Sequence, residues 1–262
     1  MPKLLLCLFF LIISPLLEAE ERDSRAPLHF CNSHWPPYSY GDKRAQPIGG
    51  YAIDFMREIS KRIDHPIRLS ILPWLRCLTM NKKGQLDGIM LLTANEDRRR
   101  FLYLTEPLLH DANLLWYLND NQHVADRTSF EELQGLRIGI VEGFNYGEAF
   151  AEATEQLKLA VQTAPTVYTN FVKLERGWID VFLVNRVVAD FTLLSRPELK
   201  ERLVVRKGPF EPVGFRVGLS HAGKAANMLD QFNSAIEAMT REGVVTTILQ
   251  YPPLVLQVVP TN

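Results

Sequence analysis

The sequence predicts an α/β fold, and three observations carry the prediction. Short apolar runs, such as Gly88 to Leu92 and Ala112 to Leu118, read as strands. Stretches with apolar residues at helical spacing, such as Ile53, Met56, Ile59 and Ile63, read as amphipathic helices. The two kinds alternate along the first half, strand, helix, strand, helix, strand, which is the order of a parallel sheet whose loops gather at one edge.

The chain of 262 residues opens Met1-Pro2-Lys3 and continues as an apolar run from Leu4 to Leu17 before the polar Glu18-Ala19-Glu20-Glu21. A positive start, a short apolar core and a small residue ahead of polar sequence form a secretory signal peptide, expected over residues 1–19 with cleavage after Ala19. The run is too short to cross a bilayer, which takes about 20 apolar residues, and no later segment is long enough. An exported, periplasmic, monomeric protein is expected. With 29 Lys and Arg against 30 Asp and Glu the net charge is −1, so nothing argues for a nucleic-acid partner. Export leaves Cys31 and Cys77. An even pair in an oxidising compartment is expected to be bridged, with two buried free thiols as the alternative.

The elements follow in order. Leu28 to Cys31 is a short strand, left through Asn32-Ser33-His34 and Trp35-Pro36-Pro37-Tyr38, where two prolines force an extended exit and hold Trp35 and Tyr38 on a stiff loop. Gly49-Gly50 turns into the helix from Tyr51, closed at His65-Pro66. Ile67 to Ile71 alternates as a second strand, ended by Pro73-Trp74 before a helix from Leu75 to Lys82.

The segment Asp87–Glu106 comes next, and the chain is organised around it. Its strand stops at Thr93, and Asn95 precedes Arg98 by three residues. Backbone N–H groups, a hydroxyl and a guanidinium therefore converge as an anion site at a strand-to-helix turn. Arg99 and Arg100 read as a solvated charged face. After Pro107, Ala112 to Leu118 is a strand that leaves the first sheet, and Asn119 to Asp126 is loop. The stretch Phe130 to Val141 begins a new strand, followed by Glu142-Gly143-Phe144-Asn145-Tyr146-Gly147 and a helix from Glu148 to Lys158. Val167-Tyr168 is expected as a short strand and Phe171 to Arg176 as helix. Arg216 to Ser220 is a strand, Ala225 to Thr240 a helix closed by Gly243, and Val244 to Leu249 a last helix before Tyr251-Pro252-Pro253.

The strand, hydroxyl, polar turn, Arg98 and closing Thr105-Glu106-Pro107 resemble family 3 of the bacterial solute-binding proteins, which serve amino-acid ABC transporters. Trp35-Pro36-Pro37-Tyr38 is similar to that family's opening loop, Gly50 to Phe55 to its first helix, and Leu133 to Gly143 to the start of its second domain. The resemblance implies a two-lobe, type II periplasmic-binding-protein-like α/β fold with a hinged interdomain cleft. The first lobe would take 27–111 and a return segment 209–262, and the second lobe 112–208, with crossings near His110–Ala112 and Gly208–Val213. It also implies that Arg98, helped by Thr93, holds a ligand carboxylate and that Trp35 and Trp74 sandwich the ligand. Asn32, Tyr38, Arg76, Leu91, Phe144, Asn145, Tyr146 and Asn185 complete the expected set.

Three departures bear on the ligand. Asn185 stands where α-amino-acid binders place a carboxylate for the ammonium, and Asn32 where binders of basic side chains place another. Leu91, Leu92, Phe144 and Asn145 replace small hydroxyl residues. Neutral amides cannot compensate a buried ammonium, so a small carboxylate-bearing, partly apolar ligand is expected rather than a standard amino acid, unless Glu142 turns inward. The partner implied is a membrane permease, or a signalling protein if the chain is a sensor. The six histidines form no ligand pair and no nucleophile elbow appears, so no metal, cofactor or catalytic residue is expected. A cyclohexadienyl dehydratase-like enzyme stays open as an alternative, since Arg98 would suit its substrate too.

Overall fold

A computed structural model describes residues 26–250 apart from Lys43, Ala45, Gln122 and Asp126. The expected signal peptide and the Tyr251-Pro252-Pro253 end lie outside the described residues. From the N-terminus the chain forms β1 (Leu28–Asn32), a small hairpin β2 (Tyr40–Gly41) and β3 (Pro47–Gly49), α1 (Tyr51–Arg62), β4 (Ile67–Ile71), α2 (Trp74–Lys82), β5 (Gly88–Thr93), α3 (Glu96–Arg99), β6 (Leu102–Leu104) and β7 (Leu109–Asp111). It continues through β8 (Leu114–Leu118), β9 (Arg137–Val141), α4 (Glu148–Gln156), β10 (Ala160–Ala164), α5 (Val167–Glu175), β11 (Val181–Val184), α6 (Arg186–Leu193), α7 (Pro197–Lys200) and β12 (Leu203–Lys207). It ends with β13 (Val213–Ser220), α8 (Leu229–Arg241) and α9 (Val244–Gln250).

The strands assort into two large sheets. In the first the order is β4-β1-β5-β13-β6, with β7 also on β13. β4, β1 and β5 are parallel, and β13 runs antiparallel to β5, β6 and β7. In the second the order is β10-β9-β11-β8-β12, parallel among β10, β9 and β11 and antiparallel at β8. The chain passes from the first sheet to the second through residues 112–113 and back through 208–212.

Each sheet is covered on both faces, which is why its central strands carry near-continuous apolar runs. α1 buries Ile53, Met56 and Ile59 against the first sheet, as their spacing predicts, and α8 joins it there with Phe232 stacked on Phe30 at 5.7 Å. The opposite face packs α2 through Cys77, Leu86, Ile89 and Leu92. There Cys31 and Cys77 are joined in a disulfide with Cα atoms 5.9 Å apart, tying the end of β1 to α2. In the second sheet, Phe171 of α5 meets Phe182 edge-on at 5.1 Å, while Phe150 of α4 packs against Phe210 on the other side.

Several local expectations are corrected. Val167-Tyr168 is no strand but the first turn of α5, where Thr166 caps the helix by accepting from the Thr169 N–H at 3.0 Å. The strand that pairs with β9 lies earlier, at Ala160–Ala164, whose half-exposed residues give little apolar signal. α4 ends at Gln156, before the left-handed Lys158. The helix expected from Ala225 begins at Leu229. The apolar stretch from Ala112 divides, so that residues 112–113 cross between sheets before β8 begins. α6 and α7 were not foreseen.

Candidate functional site

Arg98 is built into its position by the turn after β5. Asn95, in extended conformation, caps α3 by accepting from the Arg98 N–H at 2.8 Å. The side chain then folds back across the strand end. Its Nη1 donates to the Thr93 carbonyl at 2.7 Å and to Thr93 Oγ1 at 3.0 Å. The guanidinium carbon lies 5.2 Å from the centre of the Trp74 ring, within cation–π range. Arg98 is only 7% exposed. Among the described residues, no carboxylate comes within ion-pair distance and no protein acceptor meets Nε or Nη2. Burial pulls its pKa down to about 10, so the group stays cationic at neutral pH with the three N–H donors of Nε and Nη2 uncommitted.

Arg98 borders a cavity of about 60 Å³ between the two sheets. At ~10–15 Å³ per water-sized sphere, that holds on the order of four to six such spheres. Trp35, Trp74, Leu91 and Leu92 give it apolar walls. Asn32 is held at its edge, its Nδ2 donating to the Leu91 carbonyl at 3.2 Å and its Oδ1 accepting from Ser33 N–H at 2.8 Å. From the second sheet come Phe144, Asn145, Tyr146, Val184 and Asn185, none of them charged. Phe144 meets Trp35 edge-on at 5.9 Å. The Tyr146 hydroxyl accepts from the Val141 N–H at 2.8 Å, and burial raises its pKa, so it remains neutral. Asn185 caps α6 by accepting from the Val188 N–H at 2.9 Å, which commits its oxygen.

The two halves also touch directly. Asn145 Nδ2 donates to Thr93 Oγ1 at 3.0 Å and to the Ala94 carbonyl at 2.9 Å. The Trp74 indole N–H donates to the Gly143 carbonyl at 2.9 Å. Gly143 has a φ of 73°, and a Cβ there would stand 2.9 Å from Trp74 Cδ1. A glycine is required at that point on both counts.

Ten of the residues singled out in the sequence line this cavity: Arg98, Thr93, Trp35, Trp74, Asn32, Leu91, Phe144, Asn145, Tyr146 and Asn185. Tyr38 and Arg76 do not. Tyr38 lies buried behind Trp35, ring centres 4.4 Å apart, and stacks on Phe215. Arg76 is exposed on α2, and Glu142 is exposed outside the cavity. Sequence reasoning missed Asp111, Val213 and Phe215, which all line it. Asp111 Oδ1 accepts from the Ala112 N–H at 2.8 Å. Its Oδ2 is buried and meets no hydrogen-bond geometry, although the Tyr38 hydroxyl lies close by. Burial pushes this carboxyl above the usual carboxylate range, against the pull of the Ala112 and Tyr38 donors. The signal available in sequence was its place at the end of a strand beside a crossing segment. Among the described residues no cluster of three or more His, Cys, Asp or Glu is arranged to hold a metal, and no helix is long and apolar enough to cross a membrane.

Residues 30–251 match the sequence pattern described as bacterial extracellular solute-binding proteins, family 3. A "Probable amino-acid-binding protein YxeM" of Bacillus subtilis (strain 168) is 21% identical over 209 residues, covering 79% of this chain and 77% of that protein. A "Probable ABC transporter arginine-binding protein ArtJ" of Chlamydia trachomatis serovar D is 19% identical over 246 residues, covering 92% and 91%. A solved histidine kinase sensor domain with similarity to periplasmic binding proteins superposes with a TM-score of 0.72 at 18% identity, covering 86% of this chain and 94% of that one.

Proposed function

The chain belongs to the bacterial extracellular solute-binding proteins, family 3, and on that premise we propose that it captures a small carboxylate-bearing ligand between its two lobes, outside the cytoplasm. The observation that carries the reading is the buried Arg98 guanidinium, anchored through Nη1 alone, with Nε and Nη2 left to a carboxylate. A bidentate guanidinium–carboxylate pair is the strong, directional contact such geometry favours. Thr93 positions the guanidinium, Trp35 and Trp74 flank the ligand's body, and Phe144, Asn145 and Tyr146 cover it from the second lobe. Binding by both lobes favours the closed arrangement, the usual physics of hinged capture. Handing the ligand to an ABC-type importer fits the transporter role that the name of the Chlamydia relative carries.

A thermal-shift screen of carboxylates, amino acids, amines and polyols tests this. A ligand at a hundred times its Kd adds about 2.7 kcal/mol to stability, and Arg98→Ala should abolish the response. If only polyols shift the melting point, or if Arg98→Ala responds like wild type, the reading is wrong. The likeness to a kinase sensor domain favours a second reading, in which the same capture reports to a membrane signalling partner. Deleting the gene and comparing ligand uptake with transcriptional response separates the two.

A further inference from the structure

Two charged side chains line the cavity, Arg98 and Asp111. Strand register places them on one surface. Thr93 of β5, the residue that holds Arg98, pairs with Phe215 of β13, and Asp111 of β7 pairs with Val213 two residues earlier on the same strand. Paired residues share a sheet face, and so do residues two apart along a strand. Thr93, Phe215, Val213 and Asp111 therefore form a diagonal row on one face of the first sheet, and all four line the cavity. Two strand spacings across and two residues along put the Cα atoms of Thr93 and Asp111 about 12 Å apart. The guanidinium held at Thr93 and the Asp111 carboxylate thus border one small cavity from the same sheet.

The acceptor also keeps capacity, since a carboxylate offers about four lone-pair sites and Asp111 has the Ala112 N–H and the neighbouring Tyr38 hydroxyl as its donors. Asp111 Oδ2 meets no hydrogen-bond geometry although the Tyr38 hydroxyl lies close by, whereas the Asn185 oxygen is taken up by the α6 cap. The facing side chains of the second lobe, Phe144, Asn145, Tyr146, Val184 and Asn185, are all neutral.

We propose that Asp111 receives a cationic group of the ligand whose carboxylate Arg98 holds, so that both charged ends are bound by the first sheet and the second lobe closes over them with neutral groups only. The proposal rests on the carboxylate reading above, and it replaces the expectation drawn from Asn185 that an ammonium finds no partner. Charge selectivity is then set in the open protein, before the lobes meet. A ligand with a protonated amine a few atoms from its carboxylate is the class that fits.

The test is calorimetric titration of wild type, Asp111→Asn, Asn145→Ala and Arg98→Ala with three amine–carboxylate pairs: alanine against propionate, β-alanine against propionate, and γ-aminobutyrate against butyrate. Wild type should bind at least one amino-carboxylate tenfold or more tighter than its amine-free counterpart. D111N should bring that ratio to about one, while N145A weakens both members of the pair alike and keeps the ratio. Propionate and butyrate binding wild type as tightly as the amino-carboxylates overturns the proposal without any variant. So does a ratio that survives D111N, or one that N145A abolishes. If the carboxylates bind through Arg98 with no preference for an amine, this inference alone fails. If none binds, or R98A weakens none, the carboxylate reading fails and takes this one with it.

Discussion

Removing the disulfide should cost the protein several degrees of melting temperature and loosen the site with it. Cys31 and Cys77 are 46 residues apart in sequence. Closing a loop of that length lowers denatured-state entropy by an amount equivalent to about 4 kcal/mol at 25 °C, against the ~2–4 kcal/mol typical of native bridges. Both sulfurs are fully buried among Leu86, Ile89, Leu92 and Phe101, so the native geometry is already packed around them. In a chain of this size ~1 kcal/mol moves the melting temperature by about 2–4 °C. The double variant Cys31→Ala/Cys77→Ala should therefore melt roughly 4–16 °C below wild type by calorimetry. The bridge joins the strand end that carries Asn32 to the helix that begins with Trp74, so ligand affinity should fall as well. A variant melting within two degrees of a wild type shown by thiol counting to be oxidised would refute the reasoning, because the bridge would then constrain nothing in the denatured chain.

Gly143→Ala should hold the lobes apart. The new Cβ would stand 2.9 Å from Trp74 in a left-handed conformation that costs a non-glycine residue about 1–2 kcal/mol, so solution scattering should give a larger radius of gyration than wild type, and an unchanged profile counts against the Trp74–Gly143 contact as a closure contact. Asp111 should make stability depend on pH in the sense opposite to an ion-paired carboxylate. Its folded pKa is raised, so the stability it contributes is full below the unfolded value near 3.9 and is lost as pH rises through the folded value. Asp111→Asn should accordingly melt above wild type at pH 7, with the gap narrowing towards pH 4, and a variant that melts lower at pH 7 contradicts the burial argument.

Much of this architecture is legible locally. The first half alternates clean apolar runs with helical periodicity, and Arg98 could be found because the helix start that orients it is written in Asn95, three residues away. Trp35 and Trp74 stand out because each follows a strand end beside proline. What stayed hidden depends on contacts far apart in sequence. Asp111 becomes a cavity residue only through its pairing with Val213, and no local pattern announces a pairing across that separation. Tyr38 was expected at the wall because its loop is there, yet stacking on Phe215 from the returning strand buries it. The error at Val167 is of another kind. Two β-branched or aromatic residues read as strand, but Thr166 supplies a helix cap that local propensity does not outweigh.

On the reading proposed above, a cleft that keeps its charges on one side divides recognition from closure. The bonds that join the lobes, from Asn145 to Thr93 and Ala94 and from Trp74 to Gly143, are neutral and involve protein groups only. At roughly 0.5–1.5 kcal/mol net for each bond, the three together amount to about the few kcal/mol that separate open from closed states in hinged proteins. Thr93 is the point where the two functions meet, since its hydroxyl accepts from both Arg98 and Asn145. The guanidinium proposed to meet a carboxylate and the amide that joins the second lobe to the first thus share one oxygen. On that reading, a shift of Arg98 on binding would reach the latch through the Thr93 side chain alone.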